Sequence, residues 1–147
     1  MNRDMATAIA AWWTRFLRTG DRNEAHLADF EAQSPRPGLL TTLLNSSKID
    51  GTRADTFEKE LTRLLLEGPD EKTHRYGISN YPEHFELRVD YDPRNFLARA
   101  AELAGLPSGP CTGLPYKTWM LVTMDVAVAH MRGNPEQVVY GEKPSGD

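Results

Sequence analysis

The residue types able to do chemistry are dispersed along this 147-residue chain. His26, His74, His84 and His130 stand in four different segments, with no His-Glu-x-x-His, no Cys-x-x-Cys and no other paired ligand spacing. No metal site is therefore expected. Cys111 is the single cysteine, and a thiolate nucleophile there would need the fold to bring His74, His84 or His130 beside it. Asp90 and Asp92 flank Tyr91; two carboxylates so close can hold a cation or shift each other's titration. Asp92 directly before Pro93 also reads as a helix N-cap, and Asp90 alone makes neither an acid/base pair nor a cage.

Gly109, Gly113 and Lys117 invite comparison with a phosphate-binding loop. Pro110 and Pro115 remove two of the amides that such a nest requires, and no glycine precedes Lys117, so this is not a Walker A motif. Lys117 and Thr118 are left as a donor pair at a strand start, a position that solvating the strand end also explains. His84 and Glu86 share one face of an alternating segment, as a solvated strand face does too. Trp12 and Trp13 lie about 100° apart on a helical wheel, so one enters a core and the other lies at its edge. Trp13 is then either an aromatic anchor for a partner or a core-edge tryptophan. Trp13, His84, Tyr91, Lys117 and Thr118 are the candidate interaction residues; no catalytic residue and no cofactor is assigned.

The elements that must position them follow from hydrophobic periodicity. Residues 3–19 place Met5, Ile9, Trp12, Trp13, Phe16 and Leu17 on one side of a helix. Asp21 and Glu24 open a second helix near 22–33, Ser34 to Gly38 breaks it, and Leu39, Leu40, Leu43 and Leu44 have a short helical spacing. Residues 53–67 carry Phe57, Leu61, Leu64 and Leu65 on one face, and Gly68-Pro69 ends them. Residues 69–82 read as a connection. The period then changes to two: Phe85, Leu87, Val89 and Tyr91 alternate with His84, Glu86, Arg88 and Asp90. By that alternation Tyr91 faces the core and His84 the opposite side. Asp92-Pro93 begins a helix through Ala104 that Gly105 terminates. Residues 117–124 and 126–131 favour two strands around Asp125, with a single helix over 118–132 as competitor, and Val138–Tyr140 is a short edge strand.

The expected fold class is α+β: an N-terminal helical layer of three or four helices packed on a small antiparallel sheet in a strand-helix-strand-strand unit. Residues 1–147 are read as a single domain, with a helical lobe at 1–68, the connection at 69–82, the second lobe at 83–141 and a frayed tail at 142–147.

Composition bounds the function. Seventeen Lys and Arg against 21 Asp and Glu give an acidic net charge of −4, spread evenly, with no basic stripe. Nucleic acid is disfavoured as a partner, because duplex binding needs clustered cations to displace counterions. The longest run without Asp, Glu, Lys or Arg, Leu103–Tyr116, is 14 residues with three prolines and three glycines. It is no spanning helix, so no membrane partner is expected. The first residues lack a secretory pattern, and with one cysteine this points to a reducing cytoplasm.

Val89-Asp90-Tyr91-Asp92-Pro93, the Ala-rich helix ending Ala104-Gly105-Leu106, Leu114-Pro115-Tyr116-Lys117-Thr118-Trp119-Met120 and a tail ending Val139-Tyr140-Gly141 stand in that order. In this, residues 85–141 resemble a group of small phage- and prophage-type proteins of uncharacterised function. The resemblance implies a bacterial or mobile-element cytoplasmic setting and supplies no activity. Together these readings favour a non-catalytic protein-binding protein, such as a phage accessory or anti-defence protein acting on a bacterial protein. One alternative is a small enzyme or ligand-binding protein using Lys117, Tyr91 and His84 in a cleft between helices and sheet. Another is an acidic inhibitor of the toxin-immunity type.

Overall fold

Asn2 starts the first helix: its side-chain Oδ1 accepts the Met5 N–H at 2.8 Å and its carbonyl accepts the Ala6 N–H. This is the N-cap arrangement that satisfies donors with no intrahelical partner. Helix α1 (Arg3–Thr19) buries Met5, Ile9, Trp12, Trp13, Phe16 and Leu17, as its periodicity predicts. Helix α2 (Gly51–Glu67) buries Ala54, Phe57, Leu61, Leu64 and Leu65 and packs along α1. Arg18 in the last turn of α1 spans to Asp55 and Glu58 on α2 at 2.7 and 2.6 Å. Gly68, at φ +100°, donates its N–H to the Leu64 carbonyl and closes α2.

The computed structural model describes residues 1–19, 51–75, 81, 83–90, 92–107, 112–115 and 117–142. The helices expected near 22–33 and 39–44 lie outside those residues, as does Tyr91. The stretch expected as a plain connection contains a helix, α3 (Glu71–Arg75). Five residues are too few for periodicity to register. What holds them is Asp70, whose Oδ1 accepts both the N–H and the hydroxyl of Thr73 at 2.8 and 2.7 Å.

Strand β1 (His84–Val89) alternates as expected, burying Phe85, Leu87 and Val89. The start of the next helix differs from the expectation. Asp92 is not its N-cap: Pro93 bridges back to Val89, and α4 (Asn95–Leu103) begins only at Asn95. Asp-Pro is as good a turn as a helix start, and here the turn folds back on β1. Asn95 sits at φ +42°; its Nδ2 donates to the Glu86 carbonyl at 2.7 Å and its Oδ1 accepts the Phe96 N–H at 2.6 Å. Gly105, at φ +70°, ends α4 with Gly105 N–H to the Glu102 carbonyl and Leu106 N–H to the Ala101 carbonyl, the paired bonds of a Schellman motif.

The competitor helix over 118–132 is absent. Instead β2 (Thr118–Thr123), β3 (Ala127–Met131) and β4 (Gln137–Tyr140) follow, and the sheet runs β1-β2-β3-β4, antiparallel throughout. The short edge strand expected at 138–140 is β4, which joins β1, β2 and β3 in the sheet. Its inner face, with Leu87, Met120, Val122, Ala127 and Ala129, joins the buried sides of α1, α2 and α4 in one cluster. Tyr81, Phe85 and Phe96 meet with ring centroids 5.2 to 5.6 Å apart where α4 crosses β1. The fold is α+β, with its helices mostly N-terminal to the sheet.

Among the described residues both edges of the sheet are blunted. Along β1 the Glu86 and Arg88 carbonyls are taken by the Asn95 side chain and the Arg94 N–H. On the other side β4 has four residues and a bulge opposite Ala127/Val128. Short, bulged and capped edges are the features that stop a strand from recruiting another.

Candidate protein-binding face

The register of the ladder lays out the second face of the sheet, the one turned away from the helices. Two cross-strand rows are fixed by it. One runs Arg88, Trp119, His130 and ends on Glu136; the other runs Glu86, Leu121, Val128, Val138. In the first row the Trp119 and His130 rings stack with centroids 5.4 Å apart and planes 10° from parallel, and His130 Nε2 lies 3.5 Å from Glu136 Oε2. Arg88 donates from Nε to Asp90 and from Nη1 to Glu86, at 3.2 and 3.3 Å. In the second row Leu121 is 45% and Val138 43% exposed. Met124, in the β2–β3 turn, is exposed as well.

Alternation explains why the face exists. Residues 118–123, Thr-Trp-Met-Leu-Val-Thr, place Thr118, Met120 and Val122 inward and Trp119, Leu121 and Thr123 outward. Both sets contain large apolar side chains. Among the described residues the helices pack on only one of them. The trace of this in the sequence is a strand apolar at odd and even positions alike, a pattern that does not say which set is covered.

The expected interaction residues are not gathered on this face. Trp13 is a correction: it is 0% exposed, seated among α1 and its neighbours, and the ring at the core edge is Trp12. Trp12 stacks edge-on against Trp13 and Phe16 and donates its Nε1–H to Gln137 Oε1 at 3.1 Å. Trp13 therefore presents nothing to a partner. Its Nε1–H is buried with no acceptor among the described residues. Thr118 is a second correction, since the parity of β2 turns it inward and it too is 0% exposed. His84 is exposed on the outer face at one end of β1. Lys117, half-buried and at φ +52°, precedes β2 at the other end; its N–H donates to the Asp90 carbonyl and its carbonyl accepts the Arg132 N–H. His84 pairs with Thr123 and Val89 with Thr118, so His84 and Lys117 are separated by at least five ladder positions. At ~3.4 Å per residue that is about 17 Å. The cleft pairing of His84 with Lys117 is not formed, and Tyr91, its third member, is outside the described residues.

Among the described residues no three His, Cys, Asp or Glu side chains gather as a metal ion requires. No described helix is long and apolar enough to cross a membrane. No family model, curated protein or solved structure matches the chain.

Proposed function

We propose that this is a non-catalytic protein-binding protein, of the phage accessory or anti-defence kind that acts on a bacterial protein, and that it binds through the outer face of its sheet. The observation supporting it is the row Leu121, Val128, Val138 beside the Trp119–His130 stack: apolar and aromatic groups held in register on rigid strands, bordered by Glu86, Arg88 and Glu136. An apolar centre with aromatic and Arg neighbours and a charged rim is the usual anatomy of a protein interface. The enzymatic alternative relied on His84 and Lys117 meeting, and their separation takes away its support. A cytoplasmic site of action and the phage-type resemblance belong to the same proposal.

Affinity capture from bacterial lysate with the wild-type chain and with Leu121→Glu tests it. A stoichiometric protein retained by wild type and lost by Leu121→Glu, while His84→Ala retains it, is the expected result. Equal recovery by all three places binding elsewhere and refutes the outer-face assignment.

A further inference from the structure

We propose that β4 is a strap that opens from β3 while the rest of the sheet stays folded, and that the hydrogen bond from Trp12 to Gln137 is the latch that holds it to α1. Opening takes Val138 off the end of one outer-face row and Glu136, which leads into β4, off the end of the other. The outer face is complete only when the strap is closed, so a partner needing the whole face would hold it closed. That last consequence rests on the reading of the face as a protein interface; the opening itself does not.

The strands differ in what they bury. Phe85, Leu87 and Val89 are buried on β1, Thr118, Met120 and Val122 on β2, and Ala127 and Ala129 on β3. None of the residues of β4 is buried: Gln137 and Val138 are exposed, and Val139 and Tyr140 are only partly covered. Its ladder is short as well, pairing Tyr140, Val138 and Gln137 with Ala127, Val128 and Ala129 across a bulge. A segment with little buried apolar surface and an interrupted ladder opens at a lower free energy than the elements it lies on. Among the described residues, side-chain hydrogen bonds tie both ends of β4 to the start of the chain. Trp12 Nε1–H donates to Gln137 Oε1 at 3.1 Å, and Asn2 Nδ2 donates to the Tyr140 hydroxyl at 3.3 Å. The second bond is exposed and competes with water, whereas the first is partly buried. Trp12 is itself fixed, edge-on against Trp13 and Phe16 with the Arg15 guanidinium 5.4 Å from its ring centre. The moving side of the latch is therefore Gln137. Gly133, at φ +84°, and the Asn134 N–H bond to the Met131 carbonyl form the turn about which the strap swings.

The register identifies the amides that report opening. The Glu86 and Arg88 carbonyls face away from β2, so Phe85, Leu87 and Val89 exchange bonds with Val122, Met120 and Thr118. By alternation Trp119 and Leu121 face β3, where they meet His130 and Val128. The Arg132 N–H bond to the Lys117 carbonyl continues the same parity. Ala127 and Ala129 then point their N–H groups at β4, and only theirs lose cover when the strap lifts.

Native-state hydrogen exchange on the full chain, resolved by residue, tests the proposal. In the wild-type chain the protection factors of Ala127 and Ala129 are expected to lie about tenfold or more below those of Val128 and His130 on the same strand. Equal protection at all four would mean that β4 opens only with the whole sheet, which overturns the strap. Gln137→Ala should lower Ala127 and Ala129 by a further factor of about three to ten, the net worth of one side-chain hydrogen bond. Met120, whose N–H faces β1, should stay within about twofold of wild type, since it reports global opening. Unchanged protection at Ala127 and Ala129 in the variant, or an equal fall at Met120, overturns the latch. The measurement uses the free chain, so its outcome is separate from whether the outer face retains a bacterial protein in lysate capture.

Discussion

Asn95 concentrates three demands in one side chain. It occupies φ +42°, starts α4, and holds the Glu86 carbonyl of β1. Asparagine tolerates left-handed backbone better than other residues with a Cβ, and a buried carbonyl left unpaired costs about 1–3 kcal/mol. Asn95→Ala is therefore expected to lose about 2–3 kcal/mol in urea unfolding, combining the lost bonds with the strain of alanine at positive φ. Asn95→Gly removes the strain but not the lost bonds, so it should be milder by about 1 kcal/mol. Equal losses would mean the backbone there is not strained. From the sequence this residue was invisible, because Asp92-Pro93 three positions earlier matches the helix-start pattern better. The pattern records what a local segment favours; the bridge from Pro93 to Val89, a contact with the preceding strand, decided otherwise.

Among the elements, α3 is tied to α4 by one carboxylate. Asp70 caps α3 through Thr73, and its Oδ2 meets Arg99 Nε of α4 at 2.8 Å. Burial works against its ionisation, but the bonds from Arg99 and Thr73 outweigh this and hold the carboxyl at about 2 against the ordinary 3.8. A carboxyl depressed in the folded state stabilises above its unfolded value and loses that contribution as pH falls through the folded one. The wild-type chain should thus be more stable than Asp70→Asn at pH 7, by about 1 kcal/mol after solvent screening, with the gap shrinking from about pH 4 towards pH 2. Melting both at pH 7, 4 and 2.5 measures it; a gap that persists at pH 2.5 would mean the carboxylate is not its source. The strand hairpin has a different fastening. Gly141, at φ +79°, lies so close to the Asp125 carbonyl oxygen that a Cβ would collide with it. Gly141→Ala should cost about 2 kcal/mol or more, read by thermal unfolding. The long elements were legible because each repeats its period over several residues: α1 and α2 at 3.6, β1 at 2. The two-faced apolar strand β2 was legible as a strand and not as a surface, since alternation carries information only when the two faces differ.

At the scale of the whole molecule the sheet has one face inside the protein and one outside, and the two should answer differently to substitution. Leu87 on the inner face is fully buried, so Leu87→Ala should cost about 2–5 kcal/mol in unfolding. Leu121→Glu on the outer face should stay within about 0.5 kcal/mol of wild type. A large loss from Leu121→Glu would show that something in the chain already covers that face. A small loss would mean that the outer residues can vary at little cost to the fold.

The closed edges of the sheet bear on what happens when the chain is crowded. Association through an open ladder has no natural end, because every added strand exposes a new edge, and such growth leads to fibres. Here the β1 carbonyls are occupied by Asn95 and Arg94, and β4 is short and bulged. Crowding should therefore find little ladder to extend at either described edge, and fibre growth by strand addition should be slow.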